Sequence, residues 1–323
     1  MSWKGDEGML SFIARRGLGM ILSTLLVVTI TFVFMQLIPG DPASVLLGPN
    51  ATPEQIANLK ATWGLDKPLP VQFVRYFVNL FQGNLGESLF HRQPVLKMIG
   101  ERAETSVFLG IMALLVVAGL GIPAGIIAAI RPNSWLDNLL LLVALAGASI
   151  PSFWLGLMLM VVFAGKLHLL PSSGFTSVIA TGNLANLKSL ILPAFSLGFV
   201  NAALVARTAR SSMLDVLRAD YITTAKAKGL SQPVVIVKHA LRNAAIPITT
   251  VISFTFASLV SGAVVTENVF ALPGIGSLIV QSVLKRDYPV IQGIMLVVAV
   301  LYVLVNFLTD LTYAFLDPRI RYR

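Results

Sequence analysis

The chain contains no cysteine, so neither a disulfide framework nor a thiolate metal site is available to it, and the compartment on either face of the chain stays open. Charge is almost as scarce. Only 12% of the 323 residues are Asp, Glu, Lys or Arg, against roughly a quarter in an ordinary soluble domain. With a mean hydropathy of +0.81 the sequence is too apolar for a soluble globule and is read as an integral membrane protein. Histidine is limited to His91, His168 and His239, in three separate segments without metal-ligand spacing, and no metal is assigned. There is no G-x-x-x-x-G-K-[ST] loop to cradle a nucleotide phosphate. Paired carboxylates and a nucleophile motif are missing as well, which makes a membrane-embedded enzyme the weakest reading. The net charge of +9 does not imply nucleic acid, because basic residues of a membrane chain sort to its cytoplasmic side.

What is present in quantity is long apolar runs. A helix crossing the hydrocarbon core needs about 20 mostly apolar residues. Six such stretches are expected as transmembrane helices, at 17–38, 105–130, 139–165, 190–209, 246–266 and 290–316. The first follows Arg15 and Arg16, but it is longer than a signal-peptide core and no A-x-A-like site closes it, so it is read as an anchor. If the N-terminal segment 1–16 is cytoplasmic, fourteen of the 24 cations fall inside: Lys4, Arg15, Arg16, Arg131, Arg207, Arg210, Arg218, Lys226, Lys228, Lys238, Arg242, Arg319, Arg321 and Arg323. The remaining cations lie among eight acids, and most of them sit in one long loop that the charge rule weighs lightly. Both termini are therefore expected inside, the tail being 317–323, with outer segments at 39–104, 166–189 and 267–289.

Two polar segments stand out. In 39–104 the run LGPNATPEQIANLKATWGL offers Thr52 as an N-cap, Pro53 as the first helical residue, then Glu54 and an Ile56/Leu59 apolar pair; it predicts a small helical cap over the outer mouth. The inner segment 210–245 holds DYITTAKAKGLSQPVVIVKHALRNA, four cations and one acid in an otherwise apolar chain. Met213, Leu214, Leu217, Tyr221 and Ala225 recur at three and four, one helical face. Gly229 can end that helix in the left-handed conformation, with Lys226 and Lys228 in its last turn. Ser231 then caps a second short helix with Pro233 in its first turn. Spacing alone leaves two roles open, an amphipathic loop on anionic headgroups or a dock for another protein.

D-Y-I-x-x-A-K-A-K-G-L-S followed by H-A-L-R-N-A-x-I-P resembles the inner-loop signature of permease subunits of bacterial ABC importers of the dipeptide, oligopeptide, nickel and glutathione group, first-permease subgroup. The likeness runs along nearly the whole chain, through LIPGDP at 37–42, GNLGES at 83–88, SIPSFWLG at 149–156, ENVFALPGIGSL at 267–278, RDYPVIQG at 286–293 and the ending DPRIRY. Thr223, Thr224 and Ala225 stand where the broader importer class has Glu-Ala-Ala, and Arg242 where its motif ends in proline; both departures resemble the peptide subgroup.

The resemblance implies an all-α, six-span type I importer fold in a bacterial inner membrane. It also implies a complex with a second, homologous permease, two cytoplasmic ATPase subunits that hold ATP and magnesium, and a periplasmic substrate-binding protein. No cofactor is expected on this chain, which would form half of a path for dipeptides or short oligopeptides, with glutathione or a nickel chelate as alternatives. On this reading Asp220, Tyr221, Ile222, Ala225, Lys226, Ala227, Lys228, Gly229 and Leu230 form an ATPase-coupling helix, with Tyr221, Ile222 and Ala225 filling the partner's groove. Pro151, Glu267, Phe270, Pro273, Gly274 and Gly276 are the expected pathway and gate residues. A self-sufficient carrier or channel explains six spans but not the signatures.

Three features stay double. Gly121 and Gly125, with Pro123 between them, suit close helix packing or a bend. Gly147, Pro151 and Gly156 suggest a kink in the third span, because a proline there leaves carbonyls in need of partners. Asp310 and Asn306 share a face of the last span; an acid at membrane depth is a functional candidate, unless it pairs with Arg15 or Arg16 near the inner surface.

Overall fold

A computed structural model describes residues 5–37 and 40–316 of the chain, and side chains from Gly17 onward except at 310, 311 and 313–316. Asp310 and its candidate partners Arg15 and Arg16 thus lie outside the described side chains, as does the 317–323 tail. The described residues are helical almost throughout, as a chain must be that has to satisfy its backbone polar groups without water. Among them, five helices are long and apolar enough to cross a bilayer: Gly17–Leu37, Val95–Ile130, Leu184–Leu217, Gln232–Val269 and Tyr288–Thr309. A sixth crossing is a broken pair, Trp135–Ser149 and Ser152–Lys166, bent by 101°.

The chain divides into two compact units, residues 1–104 with 274–303, and 105–273 with 304–323. In the first unit, α1 (Gly5–Leu37) is followed by three short helices, α2 (Pro42–Leu47), α3 (Pro53–Trp63) and α4 (Leu69–Phe81). Thr52 and Gln55 close a reciprocal capping box at the start of α3, and Gly64 ends it in the left-handed conformation (φ 71°). Phe32 of α1 stacks on Tyr76 and meets Phe73 edge-on, at centroid separations of 6.0 and 5.2 Å. The Tyr76 hydroxyl has no hydrogen-bond partner among the described residues, and burial pushes its pKa up to about 12. A second cluster of Val95, Met98, Ile99, Ile275, Leu278, Val290 and Ile294 joins the start of α5 (Val95–Ile130) to α13 (Ile275–Lys285) and α14 (Tyr288–Leu316). Helix α5 begins ten residues before the predicted span, so 95–104, expected within the helical cap, continue the spanning helix.

The second unit is organised on α9 (Lys188–Leu217). Its most apolar window is 56% buried, whereas the other four spanning helices are between 17 and 33% buried, so α9 is the central helix. Around it lie α6 (Trp135–Ser149), α7 (Ser152–Leu159) running on as a π-helical turn (Met160–Lys166), and α12 (Arg242–Val269). A short turn of helix, α8 (Val178–Thr181), and a 3-10 turn (Leu184–Leu187) lead into α9.

Small residues let the backbones touch. Gly121 faces Ala202 O and Val205, Gly198 faces Ala113 O and Val116, and Gly125 faces Ala209, Ala206 O and Arg210 N. Pro123 sits inside an unbroken α5. Of the two roles open to Gly121 and Gly125, close packing is the one that the structure assigns. A Cβ on Gly125 would lie 2.6 Å from a carbonyl oxygen and 2.9 Å from a backbone nitrogen, neither of which can rotate away. Gly125→Val is therefore expected to destabilise the chain by about 1–3 kcal/mol, seen as a lower thermal midpoint in detergent, whereas Gly119→Ala, which meets nothing within 4 Å, leaves it unchanged.

Candidate functional site

The polar segment between α9 and α12 folds as one short helix, α10 (Asp220–Ala227), entered from Ala219, which provides no side-chain cap. Its end has the geometry its sequence predicts: Gly229 at φ 77°, Gly229 N–H donating to Lys226 O at 3.0 Å and Leu230 N–H to Ala225 O at 3.4 Å. Beyond Leu230 the chain departs from expectation. Ser231 makes no side-chain cap, and α11 (Gln232–Val234) passes through a π-helical stretch, Val235–Leu241, directly into α12. There is no second separate helix; residues 232–269 are one rod. The predicted 210–245 loop thus shrinks to residues 218–231.

Only two α10 side chains face inward. Ile222 is fully buried and Ala225 nearly so, both in a core shared with Met213, Val235 and Ala240. This corrects the expectation that Ile222 and Ala225 fill a partner's groove: they anchor α10 to its own chain, and burial there leaves nothing of Ile222 to offer. The surface α10 presents consists of Asp220, Tyr221, Thr223, Thr224, Lys226, Ala227, Lys228, Gly229 and Leu230, with Tyr221 45% exposed.

Above α10 runs a link that sequence reading missed. Asp137, in the first turn of α6 and 1% exposed, receives Arg210 Nε and Nη2 at 2.6 Å each. Its Oδ2 also accepts from Asn133 N–H at 2.9 Å, and its own N–H bonds to the Ser134 cap. A two-point Arg–carboxylate fork fixes orientation as well as distance. It ties the start of the broken span to α9, whose next turns lead into α10. The S-x-x-D spacing of Ser134 and Asp137 signalled a helix start; nothing local signalled Arg210.

The break itself falls at Ile150–Pro151, between α6 and α7. The kink expected at Pro151 is thus nearly a right-angle bend, 101°, and Pro151 is exposed at it. Past the bend, Gly156 lies under the Phe270 ring, where a Cβ would meet Cε2 at 2.8 Å. Phe270 is fully buried; its carbonyl accepts from Gly174 N–H at 3.0 Å, and Leu272 N–H closes the turn onto Glu267 O at 2.8 Å. Glu267 is also fully buried, taking a 2.6 Å hydrogen bond from Ser106 Oγ on α5. Glu267 and Phe270, expected among the pathway and gate residues, pin this segment into the core of the unit. Ala271 carries the turn at φ 49°, a left-handed conformation uncommon for a residue other than glycine. Gly274 has φ −108° and ψ 179°, extended backbone open to any residue.

In the other unit three of the sequence signatures meet. The Arg286 guanidinium lies across Gly40 of LIPGDP, which leaves no room for a Cβ, and Asp41 pairs with Lys60 at 2.7 Å. Asp287 of RDYPVIQG, 1% exposed, accepts Ser88 Oγ of GNLGES at 2.5 Å and Leu89 N–H at 3.1 Å. Gly293 packs on Val95, Ile99 and Leu85. Gly274 and Gly276 are buried at the head of α13, where Ser277 Oγ and Leu278 N–H both donate to Gly274 O. The signatures are joints between elements, and the spacing of each motif read alone could not reveal its partner.

The Asp137–Arg210 fork and the exposed Lys97–Glu101 pair, 3.9 Å apart with both side chains more than half exposed, give a direct comparison. Asp137→Ala leaves a desolvated guanidinium unpaired and is expected to cost about 3 kcal/mol, while Glu101→Ala costs less than about 0.5 kcal/mol. Thermal midpoints of the two variants side by side measure the difference.

Residues 121–322 match the family described as "Binding-protein-dependent transport system inner membrane component", and residues 9–110 match the N-terminal part of the membrane component of such systems. The dipeptide transport system permease protein DppB of Alkalihalophilus pseudofirmus is 42% identical, over 97% of this chain and 100% of its own length. The glutathione transport system permease protein GsiC of Salmonella paratyphi A is 41% identical, over 98% and 100%. Among solved structures, an inward-facing form of the MetNI methionine ABC transporter superposes with a TM-score of 0.56 at 16% identity, over 68% of this chain and 96% of that one, a likeness of fold.

Proposed function

Given that the chain belongs to the family of binding-protein-dependent transport system inner membrane components, as an ABC-importer permease of the peptide type, we propose that it forms half of an inner-membrane path for dipeptides or short oligopeptides. Its termini face the cytoplasm. A second permease completes the path, two cytoplasmic ATPases hold the ATP and magnesium, and a periplasmic binding protein delivers cargo. The 41% identity to a glutathione permease favours a second cargo reading, a γ-linked tripeptide that shares backbone amides and carboxylates with ordinary peptides. Titrating dipeptides and glutathione into the cognate binding protein by calorimetry distinguishes the two.

The observation that carries the coupling role is the construction of α10. A helix held by only two buried side chains keeps nearly all its surface for a partner, and it stands between two long rods of its unit. An ATPase that moves this helix moves α9 and α12 with it. Through Arg210 and Asp137 the displacement reaches α6, and at the far end of α6 lies the Pro151 break, the natural hinge of a path. Lys226 and Lys228 stand at the end of α10 and Asp220 at its start, each where the helix dipole favours its charge.

Gly229→Val forces a β-branched residue to φ 77°, a strain of about 1 kcal/mol or more, with nothing within 4 Å of the new Cβ to clash. The expected result is normal membrane insertion with loss of substrate-stimulated ATP hydrolysis in proteoliposomes. Asp220→Lys acts in the same direction by placing a cation at the helix start. A loop that merely rests on anionic lipid gains attraction from that added cation and retains full stimulation, so stimulation unchanged in both variants sinks the coupling role.

A further inference from the structure

Helix α4 carries more apolar surface than its own chain covers. At about 100° per residue its side chains fall into three sectors. Phe73, Tyr76, Phe77 and Leu80 form the packed sector, which holds Phe32 of α1. Gln72, Arg75 and Asn79 form a polar flank that is tied to the preceding loop: Gln72 Nε2 donates to Leu65 O and Lys67 O, and the Arg75 guanidinium lies over Gly64. The third sector, an arc of roughly 80°, holds only Val71, Val74, Val78 and Phe81, which are 47, 60, 49 and 77% exposed. An all-apolar stripe left bare beside a satisfied polar flank has to be covered by something.

The depth of α4 says by what. Phe32 is five residues short of Leu37, the last described residue of the first spanning helix, or roughly 7–8 Å along a helix axis. Packing against Phe32 therefore sets α4 below the end of a membrane-spanning helix and not above it in water. In the same outermost turns of α1, Ile30, Val33, Phe34 and Leu37 are 45–70% exposed, the lipid-facing side of a span. We propose that α4 is an interfacial helix, lying in the bilayer leaflet beside the Leu37 end of α1, with Val71, Val74, Val78 and Phe81 against acyl chains and Gln72, Arg75 and Asn79 at the headgroups. The arrangement meets the requirements of an interfacial amphipathic helix, an apolar face sunk about 5–10 Å and a polar flank at the surface. The segment 39–104, expected from sequence to be a water-exposed cap, thereby gains a membrane anchor. This holds whatever the cargo.

The absence of cysteine makes the test direct. Single variants Val74→Cys, Val78→Cys and Arg75→Cys carry a nitroxide each, in the full chain purified with the complex it forms and reconstituted in phosphatidylcholine–phosphatidylglycerol nanodiscs. Paramagnetic relaxation is then measured with oxygen, which partitions into acyl chains, and with a water-soluble nickel chelate. The expected result is that 74 and 78 relax more with oxygen than with nickel, and 75 the reverse. Nickel access at 74 and 78 equal to that at 75 means a cap in water and overturns the proposal. Immobile labels at 74 and 78 shielded from both reagents mean a protein partner on the stripe and overturn it equally. Because the readout is local and needs no transport, its failure is separate from any failure of the coupling role.

Discussion

The contact on which the second unit depends is the approach of two backbones, α5 and α9, through glycines at 121, 125 and 198. In lipid, apolar side chains gain nothing by leaving water, since there is none, and helices are held by dispersion between closely fitted surfaces. Removing the Cβ at three crossing points brings the helix axes close enough for the carbonyl oxygens of Ala113, Ala202 and Ala206 to face the opposing glycines. That contact places α9 at the centre, and α9 in turn gives α6, α7 and α12 a common surface. Met213, near its end, continues the same core down to Ile222 of α10. The polar helix is thus positioned, through one uninterrupted apolar core, by glycine contacts that meet α9 between residues 198 and 210, roughly three to six turns before α10.

Much of this was legible in the sequence, and the illegible parts share a physical cause. Hydropathy locates the spans because the bilayer demands it, and capping chemistry locates Thr52 and Gly229 because both act within one turn. Which surface covers an apolar face is a tertiary matter: periodicity places Tyr221 and Ala225 on one side of a helix, yet Tyr221 is half exposed and Ala225 buried. The fused helix 232–269 escaped notice for a related reason. Val235 and Ala240 are both buried although five residues apart, a spacing that suits the wide π turn and not the three-and-four pattern used to find helices. Pro233 and Pro247, which punctuate most helices, are simply accommodated here, at a helix start and inside one.

Polar contacts were least legible. Ser88–Asp287 joins residues 199 positions apart, Ser106–Glu267 joins residues 161 apart, and Asp137–Arg210 joins residues 73 apart. No local rule couples such positions, but each acid lies inside or beside a signature segment or at a helix start, places where a carboxylate has work to do with backbone N–H groups and hydroxyls. A buried carboxylate with its donors in place fixes a loop geometry that apolar packing would leave degenerate. These links explain why the signatures fall at turns: each brings one polar group to a meeting point of two elements, and the apolar cores do the rest.

Helix α10 has one more property, set by how little holds it. Local stability follows buried apolar contact, and a two-turn helix with two buried side chains opens far more readily than α9, which buries residues along its whole length. Its amides should exchange with solvent orders of magnitude faster than those of α9 when the chain is alone. A docked partner then does more than push: it orders the element it pushes on, and the affinity it measures includes that ordering. The strength of the grip and the efficiency of transmission are in this way set by the same few residues, so the interface cannot be tightened by stiffening α10 without also changing how force enters the spans.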